Sequence, residues 1–167
     1  IVEQINHLKT EEYHKNSDFT ILYRMNAQSR AIEDILMRER IPYKVIGGLK
    51  FYERKEIKDI IAYLRLIHNT ADNLSLKRII NEPKRGIGKT SIDNIAKLSE
   101  ENNISMYEII KNAADYGLNR VFVNTREFIE QIEDLISKKD ELKISELIKE
   151  TLNKTGYTKA LENENTV

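Results

Sequence analysis

The stretch Ile79-Ile80-Asn81-Glu82-Pro83-Lys84-Arg85-Gly86-Ile87-Gly88-Lys89-Thr90 is the most informative part of this 167-residue chain. The run from Leu74 to Ile80 predicts a short helix leading in, and Pro83 to Gly88 a tight connection. Thr90 with Asp93 three residues on has the spacing of a capping box, so a second helix is expected to start there. Gly86 and Gly88 permit a tight backbone path and close approach by a ligand. Ile87 between them is suited to anchor the turn in a core. The amides at the start of a helix have no intrahelical acceptor and suit a phosphate. Lys84, Arg85 and Lys89 add positive charge beside them. This is a helix-hairpin-helix-like arrangement, which holds a nucleic-acid backbone without reading bases. A plain helix–helix turn with solvated lysines is the competing reading; the flanking charge and the helix start favour phosphate. A nucleotide-binding G-x-x-x-x-G-K-[ST] loop does not fit, because Pro83 stands where its first glycine belongs and no strand precedes it.

C-terminal to this stretch the pattern is helical. Ser105 with Glu108 and Asn124 with Glu127 repeat the capping spacing, before Met106-Ile109-Ile110 and before Phe128-Ile132-Leu135. Ile144 to Leu152 is expected to be the last helix, ended by Gly156. Immediately N-terminal, Arg54 to Ile67 is the clearest helix, with Ile57, Ile60, Ile61, Leu64 and Ile67 on one face. Further back the pattern changes. Phe19–Arg24 and Tyr43–Ile46 are short and apolar and read as strands. Between them Asn26 is expected to cap a helix reaching Arg38, with Glu33, Asp34 and Arg38 facing water and Pro42 ending it. Gly47-Gly48 closes the second strand, and Val2, Ile5 and Leu8 mark a helix at the start. The expected fold is therefore α/β up to about residue 70 and mostly α from 71 to 167. Two strands are too few for a stable sheet alone.

Composition narrows the chemistry. With 40% hydrophobic and 32% charged residues the chain reads as an ordered domain. It has no cysteine, which removes disulfides, thiol catalysis and thiolate metal sites. His7, His14 and His68 are scattered without metal-ligand spacing, so no metal site is expected. No run is long and apolar enough to span a membrane, and a cytoplasmic location follows as the expectation. The net charge of +0 hides a gradient. Gly47–Thr90 carries ten Lys or Arg against five Asp or Glu, while Glu127–Glu164 carries six against ten. The basic segment contains the loop above, which favours a polyanion as partner. The chain opens on Ile1 rather than Met and ends on a polar run, and is expected to be part of a longer polypeptide.

Two weaker site candidates lie near the strand ends. In Gly47–Arg54, Lys50 and Arg54 suit phosphates, and Phe51 suits stacking on a single-stranded base; packing of Phe51 or Tyr52 beneath the helix is the alternative. Around Tyr23, the residues Arg24, Gln28 and Arg30 either touch a ligand or hold the loop. Glu53, Glu56 and Asp59, like Glu127, Glu130, Glu133 and Asp134, are expected to make surface ion pairs rather than an acid–base site. No catalytic constellation can be assembled.

Three segments carry a family resemblance: Ile21-Leu22-Tyr23-Arg24-Met25-Asn26-Ala27-Gln28-Ser29-Arg30; Ile46-Gly47-Gly48-Leu49-Lys50-Phe51-Tyr52-Glu53-Arg54-Lys55-Glu56-Ile57-Lys58-Asp59; and Asn81-Glu82-Pro83-Lys84-Arg85-Gly86-Ile87-Gly88. In this order they resemble the UvrD/PcrA/Rep-type superfamily 1 ATP-dependent DNA helicases, nearest to those of low-GC Gram-positive bacteria. The resemblance implies that residues 1–70 are part of the second RecA-like (P-loop NTPase fold) motor subdomain, 2A. Residues 71–167 would be its inserted helical subdomain, 2B, cut short at the C-terminus. It implies duplex-backbone contact by Lys84, Arg85, Gly86, Ile87, Gly88, Lys89 and Thr90, single-strand contact by Lys50, Phe51 and Arg54, and a nucleotide-side position for Arg24, Gln28 and Arg30. The motifs that bind and hydrolyse ATP are missing, so the fragment is expected to hold no cofactor and be inactive alone. ATP and Mg²⁺ would belong to a full-length 3′-to-5′ helicase of repair and replication, in the nucleoid. Its implied partners are a duplex–single-strand DNA junction, the remainder of the motor, and repair or transcription proteins. A protein-interaction or autoinhibitory module of the same helicase is the alternative function.

Overall fold

The structure, a computed structural model, describes residues 1–25, 28–47 and 50–164. It divides into two compact units, Ile1–Lys58 and Asp59–Val167. The first contains α1 (Val2–Glu11), α2 (Ser29–Arg38), 3-10 turns at Asn16–Asp18 and Phe51–Glu53, and the start of α3 (Lys55–His68). On α2 the buried residues are Ser29, Glu33 and Leu36, a stripe at helical spacing. Its end is closed by Arg40 in the left-handed region at φ +54°. The Ile41 amide reaches back to the Leu36 carbonyl at 2.8 Å and the Arg40 amide to Met37 at 3.0 Å, the two bonds of a Schellman end. The helix has therefore stopped before Pro42. The expected Asn26 cap lies outside the described residues, as does Gly48.

No strand forms among the described residues, and this corrects the α/β expectation for the first segment. Phe19–Arg24 and Tyr43–Ile46 run without a ladder. Instead Phe19–Tyr23 and Tyr43–Ile46 line a cavity of about 850 Å³ together with Ile5, Ile32 and Leu36. The physical reason is the one the strand count raised: two segments offer each other at most one row of hydrogen bonds and leave a face uncovered. Leu22 is 90% and Ile46 85% exposed, so apolar side chains meant for a sheet interior have nothing over them. Glu33 is also corrected: it is not a water-facing residue but only 3% exposed.

The second unit is helical among its described residues. After α3 come α4 (Asn73–Ile79), α5 (Lys89–Asn102), α6 (Met106–Lys111), α7 (Asn119–Lys138), α8 (Ile144–Lys154) and α9 (Tyr157–Glu164). Tyr63, Leu66, Ile87, Phe128, Ile132 and Leu135 are all at most 2% exposed and belong to one apolar cluster. Asp72 caps α4 by accepting from the Ser75 amide, and Ser105 caps α6 by accepting from Glu108 as its spacing predicts. Other capping expectations shift. Thr90 is the second residue of α5, whose N-cap is Gly88. Asn124 lies inside α7, which starts at Asn119. The connection between α4 and α5 is a loop over residues 80–88 and not the tight hairpin turn expected. Gly156, at φ +69°, ends α8 as expected, but α9 follows it. The acidic residues of α7 pair as their spacing predicts, Arg126 with Glu130 at 3.0 Å and Lys138 with Asp134 at 3.0 Å. Lys154 of α8 joins Asp134 as well, and these two lysines hold its carboxyl below the usual carboxylate range.

Asp59 departs from its expected surface role. It is 1% exposed, its Oδ2 accepts from the Tyr157 hydroxyl at 2.6 Å, and its Oδ1 meets Arg78 Nε at 2.7 Å. One carboxylate thus ties α3, α4 and α9. Removing it takes a charged partner from Arg78, whose side chain is 38% exposed and can turn to water, and a hydrogen-bond acceptor from the buried Tyr157 hydroxyl. Asp59→Ala is therefore expected to lower stability by about 2 kcal/mol and Tyr157→Phe by about 1 kcal/mol. Urea-induced unfolding measures both; a fully stable Asp59→Ala chain would refute the tie.

Candidate nucleic-acid interface

The loop over residues 80–88 is organised from within. Asn81 Oδ1 accepts from the amides of Arg85 at 2.8 Å and Ile87 at 3.2 Å, so a single side chain gathers the turn. The Glu82–Pro83 peptide is cis. Ile87, 2% exposed, plugs the loop into the apolar cluster, as its position between two glycines suggests. Arg85 folds inward. Its Nη1 donates to the carbonyls of Ile79, Ile80 and Pro83 at 3.1, 3.3 and 3.0 Å, and its Nη2 to the Tyr63 hydroxyl at 3.0 Å. The guanidinium lies 4.8 Å from the centre of the Phe128 ring. Tyr63 in turn donates to the Glu82 carbonyl at 2.6 Å. Burial raises the Tyr63 hydroxyl pKa, with Arg85 opposing.

The outer surface of the same loop is open. Lys84, Gly86, Gly88, Lys89 and Thr90 are exposed. The N-cap of α5, Gly88, makes no side-chain cap hydrogen bond among the described residues, and the amides of a helix's first turn have no intrahelical acceptor. The first turn of a 14-residue helix therefore presents a positive dipole end beside Lys89 and the Thr90 hydroxyl. Lys84 is displayed with an 83% exposed side chain, 3.8 Å from Glu82. Of the seven residues named for this site, five stand on the open surface, while Ile87 and Arg85 turn inside.

In the first unit the residues near Phe51 form a separate cluster. Arg30 lies 4.5 Å and Arg54 5.5 Å from the centre of the half-buried Phe51 ring, and Lys50 stands 4.6 Å over Tyr43. Phe51 is thus occupied by cations, whereas Tyr52, set edge-on to it at 5.1 Å, is 45% exposed. Glu33, which sequence reasoning missed, organises this cluster: its Oε2 accepts from the Tyr43 hydroxyl at 3.1 Å and the Phe51 amide at 3.3 Å. Desolvation and then Glu33 push the Tyr43 hydroxyl up to about 12. The signal was available, since Glu33 sits on the stripe with Ser29 and Leu36. Gln28 holds its turn by accepting from the amides of Arg24 and Met25 at 3.1 and 3.2 Å; Arg24 is exposed. Among the described residues no group of acidic or histidine side chains is arranged to hold a metal, and no helix is long and apolar enough to cross a membrane.

The two loop glycines make different demands. Gly86 sits at φ +70°, and an added Cβ would lie 2.9 Å from Asn124 Nδ2; Gly88 has open space around it. Gly86→Ala is expected to cost about 1–2 kcal/mol, and Gly88→Ala to stay within about 0.5 kcal/mol. Chemical denaturation of the two variants decides; equal stabilities would contradict the difference in backbone constraint.

The family model described as UvrD-like helicase C-terminal domain matches residues 1–166. The ATP-dependent DNA helicase PcrA of Staphylococcus aureus is 46% identical over 154 residues, covering 92% of this chain and 21% of that protein. PcrA of Staphylococcus epidermidis matches with the same identity and coverage. The chain thus spans about a fifth of the length of these relatives (21%), and it belongs to the UvrD-like helicase C-terminal domain family.

Proposed function

We propose that this chain is the duplex-contacting part of an ATP-dependent 3′-to-5′ DNA helicase of the PcrA type. The carrying observation is the uncapped start of α5, which presents exposed Lys89 and Thr90 from a loop braced by Asn81 and Ile87. Such a surface suits a phosphodiester backbone and carries no means of reading bases. Lys84, Gly86, Gly88, Lys89 and Thr90 make the contact. Residues 1–70 are a partial RecA-like 2A subdomain. The cavity between Phe19–Tyr23 and Tyr43–Ile46 supports this, since it is what a sheet lacking its other strands would leave. Residues 71–167 are much of the 2B insertion. Lys50, Phe51 and Arg54 lie toward single-stranded DNA, and Arg24, Gln28 and Arg30 toward the nucleotide. Hydrolysis of ATP with Mg²⁺ belongs to the rest of a cytoplasmic, nucleoid-associated enzyme of repair and replication.

A protein-interaction or autoinhibitory role is the second reading. Leu74, 82% exposed, and Val123, 72% exposed, favour it as apolar points on the helical surface.

Binding of a duplex with a 3′ single-stranded tail separates the two. Replacing Lys84 and Lys89 together with alanine should weaken binding about equally for unrelated sequences. It should also lower the slope of log K against log[salt] by roughly 1.8, two phosphate contacts' worth. Unchanged affinity and slope in a folded double variant would sink the backbone-contact reading.

A further inference from the structure

We propose that Arg85 is a positioning residue, which with Tyr63 fixes the Gly86-Ile87-Gly88 loop and so aims the start of α5; it does not itself touch DNA. The proposal rests on the duplex-contact reading of that loop and changes which of its cations meet the phosphates.

A guanidinium offers five N–H donors in one plane and needs acceptors for them when half-buried. Arg85 finds four acceptors at once: the carbonyls of Ile79, Ile80 and Pro83 and the Tyr63 hydroxyl. Ile79 and Ile80 end α4, where carbonyls lack intrahelical donors. The positive charge therefore also sits at the favourable end of that helix's dipole. The Phe128 ring closes one face of the guanidinium at 4.8 Å. To reach a phosphate, Arg85 would have to abandon these carbonyls; that of Ile79 keeps the Glu82 amide at 3.0 Å, while those of Ile80 and Pro83 lose this donor beside the core. Tyr63, only 1% exposed, holds the Glu82 carbonyl from the opposite side and cannot meet DNA at all. Asn124 completes the frame by packing its amide against Gly86. Lysine is no substitute here, because its donors radiate from one point and cannot span the fork.

Charge-preserving and hydroxyl-deleting variants of the full chain test this. Arg85→Lys and Tyr63→Phe should each weaken duplex binding roughly three- to tenfold, on the scale of one or two net hydrogen bonds. Both should leave the salt slope at the parent value, whereas Lys89→Ala lowers it by about 0.9. Without DNA, amide hydrogen exchange at Ile87 and Gly88 should speed up in both variants while exchange at Ile132 stays unchanged. Two results overturn the proposal. One is a slope drop in Arg85→Ala matching Lys89→Ala, with Arg85→Lys binding normally, which makes Arg85 a direct contact. The other is unaltered exchange at Ile87 and Gly88, which removes its hold on the loop. If the parent chain binds no duplex, the contact reading fails by itself, and the exchange data still decide whether Arg85 and Tyr63 hold the loop.

Discussion

A guanidinium placed beneath a turn dictates where that turn's carbonyls point. Arg85 collects the last carbonyls of α4 and the Pro83 carbonyl, and the same loop leads into the exposed start of α5. The candidate interface depends on this hold. Asn81 supplies the complementary one, using one oxygen to draw in the Arg85 and Ile87 amides. The open start of α5 then follows without a side chain to cap it. Charge on Lys84 and Lys89 reinforces a polarity that the backbone already has.

The first unit lives under a different constraint. Its apolar residues are patterned for a sheet, yet the described residues supply only two candidate strands, and neither acquires a ladder. Order there comes from helix α2 and one buried carboxylate. Glu33 holds Tyr43 and the Phe51 amide with Oε2, while Oε1 has no hydrogen-bond partner among the described residues. A buried acceptor without a donor is costly, and it sits beside the apolar cavity.

Periodicity made the helices of the second half legible, because α4 through α8 bury stripes at steps of three and four; on α3 the buried face is Asp59, Ala62, Tyr63, Leu66 and Ile67, and of the expected Ile57, Ile60, Ile61, Leu64 and Ile67 only the last lies on it. Ser105 worked as a cap because its hydroxyl reaches the Glu108 amide; Asn124 shares the spacing but lies a turn and more inside α7. Spacing alone does not fix where a helix begins. Ile87 was readable as an anchor from its two glycine neighbours. Arg85 was not, since its neighbours Lys84 and Gly86 suggest a surface cation, and only the fold shows that Tyr63 and Phe128 wait beneath it. Asp59 failed for the same reason. Its partners Arg78 and Tyr157 are remote in sequence, and a carboxylate among lysines looks solvated until a distant helix covers it. Strand propensity failed differently: it was right about hydrophobicity but silent on whether pairing partners were present.

The Asp59–Tyr157 bond has a temporal side. Its partners are 98 residues apart, and a ribosome extends a chain at roughly 5–20 residues per second. About 5–20 s therefore pass between synthesis of the carboxylate and arrival of the hydroxyl that covers it. During that interval Asp59 can engage Arg78, made early on α4, but α9 does not yet exist to shut the site. The Asp59 site is thus closed only once α9 is made, and a nascent chain stalled before Tyr157 would hold the loop's anchor residues but not the helix that covers this carboxylate.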